Sequence, residues 1–150
     1  MEHPHIPGEI GNALQLSGNS EYVQLPNGLV SGLHDFTISA WVNPSANSAW
    51  SRVFDFGTGT NNFMFLTLSA GGGPLLFADI LPSGRGDVIA APSTLPLNTW
   101  SHVAVTLSGN TGTLYVDGQP VATNNNMTIT PRSGPIAENL RGWEQVANIG

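Results

Sequence analysis

The sequence contains no cysteine and no lysine, and only 9% of its 150 residues are charged. The absence of cysteine excludes disulfides, thiolate zinc sites, iron–sulfur clusters and cysteine nucleophiles. The absence of lysine excludes a P-loop lysine, a Schiff-base lysine and a lysine general base. No apolar run approaches the roughly 18 residues that a membrane helix requires, so no membrane partner is predicted.

The few charges are mostly negative. Ten acidic residues and four arginines give a formal net charge of −6. Because nucleic-acid affinity depends on Lys and Arg neutralising phosphates, no nucleic-acid partner is predicted. Disordered chains combine low hydrophobicity with high charge, and this chain shows the reverse. Its 18 glycines and 11 prolines indicate β structure with many turns.

The hydrophobic pattern predicts an all-β fold. Residues 36–42 alternate strictly between an apolar face and a face that carries Trp41, which is typical of a half-buried strand. Asp117-Gly118 separates two strand-like segments and predicts a β-hairpin. Several short strands at a spacing of about 8–12 residues predict an antiparallel two-sheet sandwich. The further strands are expected at about residues 51–57, 62–69, 74–81, 86–90, 100–107 and 112–117.

The C-terminal tail has a different pattern. Its apolar residues Ile136, Leu140, Trp143 and Val146 fall at helical spacing, and Pro135 is suited to a first helical turn. We therefore predict a short helix at about residues 135–147. The expected division is a β domain over residues 1–131, followed by a separate tail over 132–150.

Six segments of the sequence form a recognisable series: Gly11–Gly18, Glu21–Val23, Phe36–Val42, Trp50–Gly57, Thr99–Thr106 and Leu114–Gly118. In this order they resemble the bacterial LamG-like family of concanavalin A-like lectin/glucanase jelly rolls. The resemblance covers about residues 9–130 and implies two packed antiparallel sheets, a carbohydrate or glycoprotein ligand and often a structural calcium ion. Such domains are often appended to secreted glycoside hydrolases. The resemblance therefore also implies secretion as part of a parent enzyme that supplies the export signal, because none is recognisable in this sequence.

Both ends of the chain depart from the family pattern. Family members usually begin one strand earlier and end on an acidic strand that pairs near the first, and neither feature is recognisable here. The resemblance therefore implies a jelly-roll sandwich truncated at both ends, incomplete, with a short C-terminal helix. Unpaired strand edges are templates for pairing, so a homodimer through exposed edges or the tail helix is a hypothesis.

The predicted function is a non-catalytic carbohydrate-binding module for a plant-type or microbial polysaccharide or oligosaccharide. Glycosidases need two carboxylates roughly 5–9 Å apart, and the predicted strands contain only isolated acids such as Asp55, Asp79 and Asp87. Trp50 lies at a loop–strand junction, where an indole can stack on a sugar ring. The neighbouring Thr60, Asn61 and Asn62 are expected to bind the sugar hydroxyls.

Core packing is the expected role of two other tryptophans, Trp41 and Trp100. His102 is expected to be a partly buried strand histidine bonded to a neighbouring carbonyl group. A structural adhesion module is a third class of function that the sequence does not separate from sugar binding.

The alternative function is a minimal metal-dependent hydrolase. His3 and His5 form a His-x-His pair that an extended chain places on one side, with Glu9 as a third ligand for zinc. A metal-bound hydroxide could hydrolyse an ester or phosphoester without lysine or cysteine. Asn19 and Glu21 form a turn that resembles a calcium site, with too few carboxylates for tight binding. A divalent metal ion, zinc or calcium, is therefore the cofactor that the sequence suggests, and the sequence requires neither.

Overall fold

The computed structural model describes residues 4–18, 21–26, 28–30, 32–57, 63–81, 83–84, 86–128, 138–141 and 145–148, the last two segments as backbone strands. These residues form a sandwich of two antiparallel sheets. The all-β antiparallel sandwich predicted from the sequence is thereby confirmed.

The seven-stranded sheet contains both ends of the described chain. Its strand order is β1-β2-β13-β4-β9-β10-β11. The strands are β1 (His5–Pro7), β2 (Asn12–Gln15), β4 (Phe36–Pro44), β9 (Ser101–Ser108), β10 (Thr111–Val116), β11 (Gln119–Asn124) and β13 (Gln145–Asn148).

The six-stranded sheet packs against the first. Its order is β3-β12-β5-β6-β7-β8. The strands are β3 (Tyr22–Gln24), β5 (Arg52–Gly57), β6 (Phe63–Thr67), β7 (Leu76–Ile80), β8 (Gly86–Ala90) and β12 (Glu138–Arg141).

The core lies between the inner faces of the two sheets. Val42 and Val103 from the seven-stranded sheet and Phe54 from the six-stranded sheet are all at most 2% exposed. The rings of Phe36 and Phe77, one from each sheet, lie 6.4 Å apart. Alternation along β4 therefore places its apolar residues inward, as the period of two predicted.

The predicted hairpin is present. β10 and β11 pair antiparallel up to Val116 and Gln119, which leaves Asp117 and Gly118 as a two-residue turn. Their φ angles of 50° and 79° are both positive, as a type I′ turn requires. Aspartate and glycine are among the few residues that adopt this conformation readily, so the turn fixes the register of the hairpin.

The predicted C-terminal helix is wrong, because residues 138–141 and 145–148 are strands. β12 pairs with β3 and β5, and β13 pairs with β2 and β4. The predicted gap in the sandwich is therefore absent from the described strands, since the tail fills an interior position in each sheet. A four-residue strand is too short to express a period, so apolar spacing could not separate two short strands from one helix.

The basis for the predicted homodimer changes accordingly. The tail helix that was to mediate it is replaced by strands, and the edges that a missing strand would have opened are paired. At one side of the sandwich, the side-chain amide of Asn124 on β11 donates to the carbonyl oxygen of Val88 on β8 at 3.0 Å.

Within the described residues, no helix is long and apolar enough to cross a membrane.

One acidic side chain faces the core. Asp79 on β7 is 5% exposed and lies directly opposite Asp87 on β8. Burial, followed by the negative charge of Asp87, raises the pKa of Asp79 to about 7. The Asp87 carboxylate accepts hydrogen bonds from the backbone N–H and the hydroxyl group of Thr128. The two acids that the sequence showed as isolated are therefore neighbours.

We expect Asp79→Asn to stabilise the domain in a pH-dependent way. The folded state favours the protonated form of Asp79. The contribution of this side chain to the free energy of unfolding is therefore complete below the ordinary pKa of 3.8 and is lost as the pH rises through about 7. Asparagine never ionises, so the variant should gain about 1–3 kcal/mol in free energy of unfolding at pH 8 and little at pH 4. Urea denaturation at both pH values measures this, and a pH-independent difference would contradict it.

We also expect deletion of residues 132–150 to abolish cooperative folding. The deletion removes an interior strand from each sheet and leaves the facing edges of β2, β3, β4 and β5 without partners. Loss of the thermal unfolding transition in circular dichroism is the expected result, with deletion of residues 149–150 alone as the control. A truncated domain that melts within a few degrees of the full chain would disprove the interior placement of the tail.

Candidate functional site

A groove of about 600 Å³ lies at one end of the outer face of the seven-stranded sheet. We call it the Trp groove. Its lining residues are Glu9, Trp41, Trp100, His102, Asp117 and Gly118.

The pairing of β4 with β9 places the aromatic side chains of the Trp groove together. Trp41 on β4 lies directly opposite His102 on β9, and their rings form an edge contact with centroids 5.2 Å apart. Trp100 lies immediately before β9, two residues from His102, and lines the same groove. All three side chains are half-buried. The groove therefore has a floor of aromatic rings that solvent reaches.

The hairpin turn places a carboxylate at one side of the Trp groove. The Asp117 backbone N–H donates to the His102 carbonyl oxygen at 2.7 Å, and the His102 N–H donates to Asp117 Oδ1 at 2.8 Å. These two bonds lock the turn onto the strand that carries His102. Asp117 is nevertheless exposed, so its carboxylate also faces solvent.

The other side of the Trp groove comes from the connection between β1 and β2. Glu9 lies in this connection, which a 2.9 Å hydrogen bond from the Gly8 N–H to the Gly11 carbonyl oxygen closes. In the sheet order, β4 and β9 lie between this connection and the β10–β11 turn. Two carboxylates, those of Glu9 and Asp117, therefore stand on opposite sides of the aromatic floor.

The outer face continues beyond the Trp groove as rows of small polar and aromatic side chains. The strand registers align two rows of side chains across β4, β9 and β10. The row next to the Trp groove is Ser39–Ala104–Tyr115, and the following row consists of threonines, Thr37–Thr106–Thr113. Hydroxyl groups thus extend the face in the direction away from the two tryptophans.

The side chains of the Trp groove match the chemistry of sugar recognition. Aromatic rings present flat apolar faces that stack on the C–H face of a sugar ring. Carboxylate oxygens accept hydrogen bonds from hydroxyl groups, and hydrogen bonds to charged groups are the stronger ones. A concave site with an apolar floor and a few convergent polar groups is typical of small-molecule binding.

The sequence-based candidate, Trp50, lies at the other sheet. It is 51% exposed and has a φ of 64°, which is rare for a bulky residue. Its N–H donates to the Ser69 carbonyl oxygen at 2.7 Å, and its own carbonyl oxygen accepts from Arg52 at 2.9 Å. The Arg52 guanidinium lies 3.8 Å from the ring centroid of Phe65. Trp50 is therefore held rigidly at the surface, next to a cation packed on an aromatic ring.

The remaining predicted site residues are not brought together among the described side chains. Thr60, Asn61 and Asn62, which were expected beside Trp50, lie outside the described residues, as do His3 and Asn19. His5 is exposed on the edge strand β1. Glu9 lines the Trp groove, and the Glu21 carboxylate accepts a hydrogen bond from the Ser17 N–H. No cluster of three or more His, Asp or Glu side chains suited to a metal ion occurs in the described part of the chain.

Two residues of the Trp groove were assigned to the core by sequence reasoning. Trp41 and Trp100 were expected to pack inside, and they line the outer surface instead. The sequence contained part of this information, because the alternation along residues 36–42 places Trp41 on the polar face of its strand. Trp100 and His102 share one parity as well. What the sequence did not contain was the register that places Trp41 opposite His102.

The sequence matches one family model over residues 17–143, and the description of that family is the concanavalin A-like lectin/glucanases superfamily. The match extends across β12, into the segment that was predicted to be a separate tail. No curated protein matches the chain at a significant level.

Several solved structures share the fold. Domain 4 of AbnA, a GH43 extracellular arabinanase from Geobacillus stearothermophilus solved in complex with arabinotriose, superposes with a TM-score of 0.82 at 21% identity, covering 98% of this chain and 74% of that one. The Ruminococcus gnavus IT-sialidase CBM40 bound to α2,3 sialyllactose gives 0.73 at 13% identity, with 90% and 87% covered. An S-layer domain-containing protein from Clostridium thermocellum gives 0.51 at 39% identity, with 83% and 58% covered.

We expect Asp117→Ala to destabilise the domain by about 1–2 kcal/mol, because it removes the acceptor for the His102 N–H and leaves alanine in a left-handed turn position. Asp117→Asn is the matched control, since asparagine keeps an acceptor oxygen and tolerates positive φ. Chemical denaturation of both variants measures the effect. Equal stability of the alanine and asparagine variants would show that the carboxylate does not hold the turn.

Proposed function

Since the chain belongs to the concanavalin A-like lectin/glucanases superfamily, we propose that it is a non-catalytic carbohydrate-binding module whose binding site is the Trp groove. One observation carries this proposal: two tryptophans, a histidine and two carboxylates converge on a single solvent-accessible groove. Aromatic rings would stack on the sugar, and the carboxylates of Glu9 and Asp117 would accept hydrogen bonds from its hydroxyl groups.

Fold relatives support a carbohydrate ligand. Domain 4 of AbnA was solved with arabinotriose and the R. gnavus CBM40 with sialyllactose, so this sandwich accommodates oligosaccharides in proteins of low sequence identity. For this chain we propose a plant-type or microbial polysaccharide. The threonine row beyond the Trp groove would contact further sugar units of a longer chain.

The absence of catalysis is part of the proposal. Asp117 uses one carboxylate oxygen to accept from the His102 backbone, which is a structural role. Asp79, whose pKa burial raises to about 7, faces the core and is not among the residues that line the Trp groove. A general acid for glycosidic cleavage has to lie beside the glycosidic oxygen, which a side chain facing the core does not.

Trp50 is the second candidate platform. Its exposure and the bonds that fix its backbone favour stacking on a ligand, since a rigid aromatic surface loses little entropy on binding. It belongs to the six-stranded side of the sandwich, so its contribution can be separated from that of the Trp groove by mutation.

The metal-dependent hydrolase that the sequence offered as an alternative receives no support from the described residues. Glu9 lines the Trp groove, and His5 is exposed on an edge strand. Metal analysis of untagged protein, followed by esterase assays before and after chelation, tests this alternative directly. The proposed role also requires contact with extracellular glycans, so we expect the domain to act as part of a secreted protein.

Affinity electrophoresis on arabinan, xylan and galactan tests the proposed function. The wild-type domain should be retarded by at least one of these polysaccharides. Trp41→Ala and Trp100→Ala should each weaken that binding by about 1–3 kcal/mol, or roughly 5- to 150-fold in Kd, because stacked aromatic residues are typical hot spots.

Trp50→Ala is the matched control, since it removes an exposed tryptophan from the other side of the sandwich. Near-ultraviolet circular dichroism and the melting temperature establish that each variant is folded. Loss of binding in Trp50→Ala alone would move the site to the six-stranded sheet. No retardation of the wild type on any glycan would contradict the carbohydrate-binding proposal, and release of reducing sugar ends would contradict its non-catalytic part.

A further inference from the structure

Apart from His102, the described side chains of the Trp groove carry charge of one sign. Within the described part of the chain, Glu9 and Asp117, both exposed, are the charged residues that line the groove, and no arginine lines it. The arginine whose side chain the structure describes, Arg52, lies on β5 in the other sheet and pairs with Asp55 at 3.4 Å. The net charge of the chain, −6, adds to the same negative potential.

This arrangement has opposite effects on neutral and acidic sugars. A sugar hydroxyl group donates a hydrogen bond to a carboxylate, which is favourable. A sugar carboxylate has no proton to donate at neutral pH and is repelled by both acids. Because Glu9 and Asp117 stand on opposite sides of the aromatic floor, a ligand carboxylate that moves away from one acid across the floor approaches the other.

We propose that the Trp groove selects glycans without carboxylate groups and rejects uronate- and sialate-containing glycans. This inference rests on the proposed function and adds the class of ligand to it. It also separates this chain from a relative with the same fold, since the R. gnavus CBM40 was solved with sialyllactose, an acidic glycan. The shared sandwich would then carry different ligand classes through the side chains on its surface.

The expected discrimination is about tenfold in Kd at low salt, which corresponds to two carboxylates at about 7 Å from a ligand carboxylate in a water-like dielectric. Salt should reduce it, because exposed charges are screened over about 10 Å at 0.1 M ionic strength. Discrimination by shape alone would not respond to salt.

Matched glycan pairs that differ in a carboxylate provide the test. The probes are methyl-esterified and de-esterified homogalacturonan oligosaccharides, xylo-oligosaccharides with and without a 4-O-methylglucuronate branch, and lactose with 3′-sialyllactose. Arabinotriose and galactotriose are included as neutral references. Isothermal titration calorimetry gives Kd for each member at about 20 mM and 500 mM salt, which lie on either side of the ionic strength at which exposed charges are screened.

Conservative variants assign the effect to the two carboxylates. Glu9→Gln and Asp117→Asn remove charge and keep shape, so the ratio of Kd between acidic and neutral members should fall to within about threefold in the double variant. Asp35→Asn is the control for each single variant, because it makes the same one-unit change in net charge just before β4. Asp35 is six residues from Trp41, or about 20 Å along an extended chain, and asparagine retains an acceptor for the Gly109 N–H. Its ratio should equal that of the wild type.

The outcomes separate this inference from the function on which it rests. Binding of neutral members, with weaker binding of their acidic partners that recovers in the double variant, supports it. Equal or tighter binding of acidic members by the wild type overturns the inference and leaves carbohydrate binding intact. A discrimination ratio that the double variant does not change overturns it as well. Failure to bind any member of any pair, including the neutral references, overturns both.

Discussion

The antiparallel pairing of β4 with β9 is the constraint on which the core and the candidate site both depend. One register places Val42 and Val103 inward and brings Trp41 opposite His102 on the outer face. A slip of one residue would exchange the two faces and move tryptophan into the core. Burial of the valines therefore fixes the position of the aromatic floor, and the loop carrying Glu9 and the turn carrying Asp117 are added at its two sides.

The C-terminal strands complete the sheets of the sandwich, including the one in which β4 pairs with β9. β13 lies between β2 and β4, and β12 lies between β3 and β5, so residues distant in sequence complete both sheets. Strands at interior positions form backbone hydrogen bonds with two neighbours at once. The tail is therefore an integral part of both sheets and does not cap a sandwich that is complete without it. The connection carrying Glu9 is held near the aromatic floor because β2 is joined to β4 through β13.

The sequence predicted what depends on local pattern and failed where long-range pairing decides. The alternation at residues 36–42 and the turn signal at Asp117-Gly118 are local, and both were correct. The tail strands depend on partners more than 80 residues away, and the spacing of their apolar residues resembles that of a helix. Trp41 had the correct parity, yet its partnership with His102 follows from a register that only the assembled sheet defines. Asp79 and Asp87 were likewise visible as acids and not as neighbours.

The central claim is that sugar is bound on the seven-stranded sheet by Trp41 and Trp100. Nuclear magnetic resonance of the indole N–H groups tests this most directly, because each tryptophan gives one signal, which substitution by phenylalanine assigns. Titration with a neutral oligosaccharide such as arabinotriose or xylotriose should shift the signals of Trp41 and Trp100 and leave that of Trp50 unchanged. A shift confined to Trp50, with Trp41 and Trp100 unaffected at saturation, would contradict the account.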